Sequence, residues 1–92
     1  NTSHWIGLDV HDVGVYLPNG EPRKLQPGMC LTIEPGLYFG AWRPDVDCPE
    51  RYSNIGIRIE DDVLIGENGP IVLTEMCPKT ITEIELIVGK AI

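Results

Sequence analysis

The chain has 92 residues, with 14 Asp or Glu against 7 Lys or Arg, a net charge of −7 when both histidines are neutral. This acidic balance excludes a phosphate-neutralising nucleic-acid face and gives no attraction to an anionic membrane surface. No apolar run approaches the roughly 20 residues of a membrane span. Gly and Pro, at 10 and 8 residues, punctuate the chain so densely that short strands joined by turns are expected. Along the chain, residues 3–10 mix apolar and polar types and can be extended. Val15–Leu17 runs into Pro18-Asn19-Gly20, a turn signal, and Gln26-Pro27-Gly28 is another. Met29 to Glu34 alternates: Met29, Leu31 and Ile33 share one face, and Cys30, Thr32 and Glu34 the other. Pro35 and Gly36 stop that strand. A long loop spans roughly Gly40 to Ser53. The clearest alternation follows, with Ile55, Ile57 and Ile59 on one face and Gly56, Arg58 and Glu60 on the other. Val63–Ile65 continues extended, Asn68-Gly69-Pro70 turns, and Ile71–Leu73 can return as a partner strand. Thr80 with Glu83 forms a capping box, which starts a helix near residues 81–90. Its apolar face is Ile81, Ile84, Leu86 or Ile87, and Val88.

Two strands thus carry packed aliphatic residues on one face and end in a glutamate on the other. A carboxylate at a strand end is rigid, and hard divalent cations take oxygen ligands of this kind. His4 can add an imidazole nitrogen, and His11 an acid or hydrogen-bond donor. Each feature also has a plainer reading. A glutamate on a polar strand face is ordinarily solvated, and a histidine in a mixed segment is ordinarily a surface residue. Arg58 beside Glu60 can be a simple ion pair. Cys30, Cys48 and Cys77 form no CxxC pair, which fits neither a disulfide framework nor a zinc site. They read as small buried hydrophobes in a reducing, cytoplasmic setting. Trp5 and Trp42 read as packing or pocket wall.

Three longer strings say more: SHWIGLDVHD (Ser3 to Asp12), LQPGMCLTIEPGLY (Leu25 to Tyr38) and NIGIRIEDDVLI (Asn54 to Ile65). In this order they resemble the C-terminal half of the catalytic domain of Xaa-Pro aminopeptidases, of the pita-bread metallopeptidase superfamily. The resemblance implies an α+β fold, part of a pita-bread fold with a curved antiparallel sheet and a C-terminal helix. It implies two divalent metal ions, usually manganese, held by two aspartates, one histidine and two glutamates. His4 matches the histidine ligand, Glu34 the first glutamate and Glu60 the glutamate that bridges both ions. His11 matches a histidine that hydrogen-bonds the substrate. Arg58 matches an arginine close to the site. The implied reaction is hydrolysis, by a metal-activated water, of the N-terminal Xaa-Pro bond of peptides with proline at the second position. Glu34 is the implied proton carrier.

The two aspartates are absent from these residues, and Asn1 stands where the resemblance expects glycine. Residues 1–92 therefore read as a C-terminal piece whose upstream half is missing. Alone it is expected to be inactive; the complete enzyme is expected to be a cytoplasmic homo-oligomer. Prolidase, which cleaves Xaa-Pro dipeptides, is the near alternative. A metal-free pita-bread binding module is the more distant one, and the intact His4, Glu34 and Glu60 weigh against it.

Overall fold

Alternation and turn chemistry build two small antiparallel sheets that share two stretches of chain. The computed structural model describes residues 2–40 and 43–90, so Asn1 and Trp42 lie outside the described residues. Among these are five strands: β1 (Cys30–Ile33), β2 (Gly36–Phe39), β3 (Ile55–Arg58), β4 (Asp61–Gly66) and β5 (Gly69–Val72). One helix, α1, spans Ile81–Ile87, and short 3-10 turns cover Pro18–Gly20 and Glu50–Tyr52. One sheet has the order β1-β4-β5 and the other pairs β2 with β3. The arrangement is the α+β one expected.

The two sheets are one bent ladder. β1 pairs with β4, ending at Ile33 opposite Asp61; β2 pairs with β3, starting at Gly36 opposite Arg58. The count between these pairs is equal on both strands, so the register runs through the break without a slip. The break falls at Pro35, which has no N–H to give; the Ile59 N–H donates to the Pro35 carbonyl at 3.2 Å and keeps the chains together there. Pro35 thus ends β1 as expected, while Gly36 opens β2 rather than ending a strand.

Residues 2–6 lie along the free edge of β1. The Thr32 and Glu34 N–H groups donate to the His4 and Thr2 carbonyls at 2.9 and 2.8 Å, and the Ile6 N–H donates to Cys30 at 3.1 Å. The extended reading of residues 3–10 therefore holds in its first half. From Gly7 the chain bends back, and the Asp12 N–H donates to the Trp5 carbonyl at 3.1 Å. At the other edge the β4–β5 hairpin turns through Glu67-Asn68, one residue earlier than the expected Asn68-Gly69-Pro70. Glycine permits it: a Cβ on Gly66 would meet the Gly69 carbonyl oxygen at 2.9 Å. Pro70 is then part of β5, an edge strand that tolerates it.

Little is buried. Leu31 and Val63, opposite one another on paired β1 and β4, are the buried apolar residues among those described, and Thr32 is buried on the other face of β1. The aliphatic faces read from the alternation are real, but Leu37, Ile55, Ile57 and Ile59 remain exposed. The same is true of α1, whose Ile81, Ile84, Leu86 and Ile87 face solvent. Of the cysteines, Cys30 and Cys48 are half-buried and Cys77 is exposed, which corrects their reading as buried hydrophobes. The radius of gyration is 17.2 Å, against the ~12 Å of a compact 92-residue domain.

The capping box forms as expected, although α1 ends at Ile87 rather than near residue 90. Thr80 Oγ1 accepts from the Glu83 N–H at 3.2 Å, and Glu83 Oε2 accepts from the Thr80 N–H at 3.0 Å and its hydroxyl at 2.8 Å. The Thr80 N–H, then its hydroxyl, then the Lys79 N–H hold the Glu83 carboxyl below its ordinary value of 4.5. A depressed folded pKa stabilises the helix fully above the ordinary value, and that support is lost as pH falls through the lowered one. Acidification from about pH 6 to about pH 3 is expected to fray α1 before the strands open. Amide exchange of residues 81–87, followed by NMR against that of β4, checks it.

Candidate metal centre

The continuous register has a direct chemical result. Glu34 follows Ile33 and Glu60 precedes Asp61, so the two glutamates fall opposite one another across the ladder. Like charges placed directly opposite on paired strands are destabilising. The third partner arrives from the edge: the hydrogen bonds that dock residues 2–6 on β1 bring His4 to the same end of the strand. One oxygen of Glu34, one of Glu60 and a ring nitrogen of His4 all lie within 4.8 Å of one another. His4 and Glu34 are largely covered, with side chains 16% and 10% exposed. Glu60 is exposed.

The protonation pattern of His4 follows from its neighbours. Nδ1 lies 3.0 Å from the Trp5 carbonyl oxygen, which can only accept, so Nδ1 carries the hydrogen. In the neutral ring Nε2 then presents a lone pair, 3.2 Å from Glu34 Oε1. Two electron-rich atoms at that separation, with a second carboxylate beside them, match the donor set of a divalent cation. A backbone carbonyl that fixes the tautomer of a ligating histidine is a recurrent partner in such sites. The residues present therefore fit a metal.

Both oxygens of Glu34 are held. Oε1 accepts from the Thr32 hydroxyl at 3.0 Å, and Oε2 lies 3.2 Å from Arg58 Nη1. Arg58 therefore pairs with Glu34, not with Glu60 as the simple ion-pair reading had it. Its Nε donates to Tyr38 Oη at 2.7 Å. This bond, ahead of the charges of Tyr38, Glu34 and Glu60, holds the guanidinium pKa above its ordinary value. Tyr38 reaches Arg58 because two glycines leave room for its ring. A Cβ on Gly56 would lie 2.8 Å from Tyr38 Cδ1, and one on Gly36 2.5 Å from its Oη. His11 stands edge-on to His4, with ring centroids 4.2 Å apart. Trp5 stacks on Tyr16 at 5.4 Å, the packing role expected of it.

A second cluster anchors the strand beyond Glu60. Lys79 Nζ donates to Asp61 Oδ1 at 3.0 Å and to the Thr74 and Cys77 carbonyls at 3.1 and 2.8 Å. The Thr74 hydroxyl donates to the same Asp61 oxygen at 2.6 Å, and this bond, more than Lys79, lowers the Asp61 pKa. The segment leading to α1 is thus tied to the residue that follows Glu60.

All five residues singled out in the sequence lie in one neighbourhood. Missed were Thr32, Tyr38 and the Lys79 clamp. The signal for Tyr38 was a tyrosine placed between Gly36 and Gly56 on paired strands; it becomes readable only once the pairing is known.

The chain is 55% identical over 89 residues to the Xaa-Pro aminopeptidase of Escherichia coli, covering 97% of this chain and 19% of that protein. It matches the structure of Pseudomonas aeruginosa aminopeptidase PepP with a TM-score of 0.81 and 49% identity, over 92% of this chain and 19% of that one. It matches E. coli aminopeptidase P with the inhibitor Pro-Leu with a TM-score of 0.78 and 55% identity, over 92% and 18%. The chain thus spans about a fifth of the length of these relatives, and shares the fold of that part. The matched stretch, residues 1–67, contains His4, Glu34 and Glu60, and by that match the chain belongs to metallopeptidase family M24.

Proposed function

We propose that the protein is a metal-dependent aminopeptidase that hydrolyses the N-terminal Xaa-Pro bond of peptides, with residues 1–92 forming the C-terminal part of its catalytic domain. The observation that carries this reading is the convergence of His4, Glu34 and Glu60 within 4.8 Å, with His4 held in the tautomer that frees Nε2. His4, Glu34 and Glu60 would hold two divalent ions, together with two aspartates that the family resemblance implies elsewhere in the protein. Carboxylate-rich donors with one imidazole suit Mn2+. When bound, the ions act as Lewis acids that make a water nucleophilic near neutral pH.

The chain's own side chains do the rest. Glu34 takes the proton from the attacking water and delivers it to the leaving proline nitrogen. His11 donates a hydrogen bond to the scissile carbonyl oxygen as charge gathers on it. Arg58, gripping Oε2, keeps Glu34 turned with Oε1 towards His4. The Xaa-Pro bond has no N–H, so a site that offers no acceptor there accommodates it and leaves ordinary peptide bonds unsatisfied. The three free cysteines suit a reducing compartment and support a cytoplasmic location. We expect the complete enzyme to be a homo-oligomer.

The test uses the intact protein. Dialysis against EDTA is expected to abolish cleavage of an Xaa-Pro-Yaa tripeptide, and Mn2+ to restore it. Persistence of activity in the metal-free protein overturns the reading. Restored cleavage of Xaa-Pro dipeptides in preference to tripeptides assigns it to the prolidase reaction instead.

A further inference from the structure

Thr32 is the most deeply buried side chain described, 1% exposed, and the only buried polar residue among those described. A hydroxyl in such a place is costly unless both its donor and its acceptor are satisfied. Both are, and each partner belongs to the candidate metal centre. Thr32 Oγ1 accepts from the backbone N–H of His4 at 3.0 Å and donates to Glu34 Oε1 at 3.0 Å. That Oε1 is also the oxygen lying 3.2 Å from His4 Nε2. Glu34 is two residues away on the same strand face, whereas His4 belongs to a separate segment, so one hydroxyl references two donors from different parts of the chain. The Thr32 N–H adds a third tie, donating to the His4 carbonyl at 2.9 Å. Packing alone does not call for the hydroxyl, since valine suits a buried strand position equally well.

We infer that Thr32 is a positioning residue of the metal centre: its hydroxyl sets the separation of His4 Nε2 and Glu34 Oε1 before any ion arrives. Arg58 holds the other oxygen of Glu34, so the carboxylate is clamped from both sides and cannot rotate without breaking one bond. The β-branch of Thr32 restricts χ1 and keeps the hydroxyl aimed. This inference rests on the metal-centre reading above and adds a residue that binds no metal itself.

The test is Mn2+ affinity in the intact protein, measured by competition with a fluorescent chelator, alongside thermal unfolding in EDTA. Thr32→Val is expected to weaken Mn2+ binding roughly 10–100-fold, the usual cost of losing a partner that orients a ligand. Thr32→Ser is expected to bind within about threefold of wild type, because the hydroxyl remains. Thr32→Ala and Thr32→Ser both lack the methyl and differ in the hydroxyl alone, so this pair decides the matter if Thr32→Val does not fold. Equal affinity in Ala and Ser, or wild-type affinity in a folded Val variant, overturns the role of Thr32 and leaves the metal centre intact. A wild-type protein that binds no Mn2+ overturns the metal centre itself.

Discussion

Glu60→Ala in the intact protein is expected to remove bound metal and peptidase activity together. Loss of a partner that merely orients a ligand costs about 10–100-fold in affinity; loss of Glu60, the residue that the family resemblance implies would bridge both ions, should exceed the upper end of that range. Metal content after dialysis, by elemental analysis, and tripeptide hydrolysis check it. Retention of two equivalents of metal would show that the bridging assignment is wrong. The same variant carries an opposite expectation for stability. Without metal, Glu60 faces Glu34 across the ladder, a like-charge pair that the fold opposes. The metal-free variant should therefore melt no lower than metal-free wild type. A clear drop in EDTA would mean that Glu60 is a structural residue. The combination of lost metal with undiminished apo stability marks a residue placed for chemistry at some cost to folding.

Residues 1–92 expressed by themselves are expected to show no Xaa-Pro cleavage and no sharp unfolding transition. They contain three of the five ligands that the family resemblance implies. Their surface is also wrong for an independent domain. It measures 7940 Å², whereas a compact monomer of this mass exposes about 5,300 Å². Large apolar side chains are exposed on it, including Leu37, Ile57, Ile81 and Leu86. Below about 100 residues there is little margin of stability to sustain such exposure. Dye binding to apolar surface, a broad thermal transition and a hydrodynamic radius larger than that of a compact domain are the expected observations. Robust cleavage by purified residues 1–92 would refute this.

Much of the local structure was legible. The alternation from Met29 to Glu34 and from Ile55 to Glu60 marks strands, and Thr80 with Glu83 marks a helix start, because each signal depends on neighbours a few residues apart. What brings Glu34 to Glu60 is a pairing across more than twenty intervening residues, and no local pattern contains it. The ligand assignments accordingly came from whole strings that resemble a family rather than from spacing. Thr32 escaped notice because a threonine in a strand is unremarkable by composition; its burial and its two partners exist only after residues 2–6 dock on β1. The apolar face of α1 was read from its period, but periodicity does not say what packs against a face. Within the described residues nothing covers it.

On the proposed metal-binding reading, the unbroken register between β1–β2 and β3–β4 would link metal loading to correct folding. A slip of one residue between these strands would send the side chains of one strand to the opposite face, and in one direction would set Ile59 in place of Glu60 opposite Glu34. A molecule slipped in that direction would lack one of the three candidate donors, so bound ions would stabilise it less than the native register. Ligand binding to the native state alone draws population from every misregistered competitor in proportion to free ligand over Kd. On the proposed metal-binding reading, the centre would act as a proofreader of its own scaffold: metal retained after dialysis would count the molecules whose strands have paired in frame.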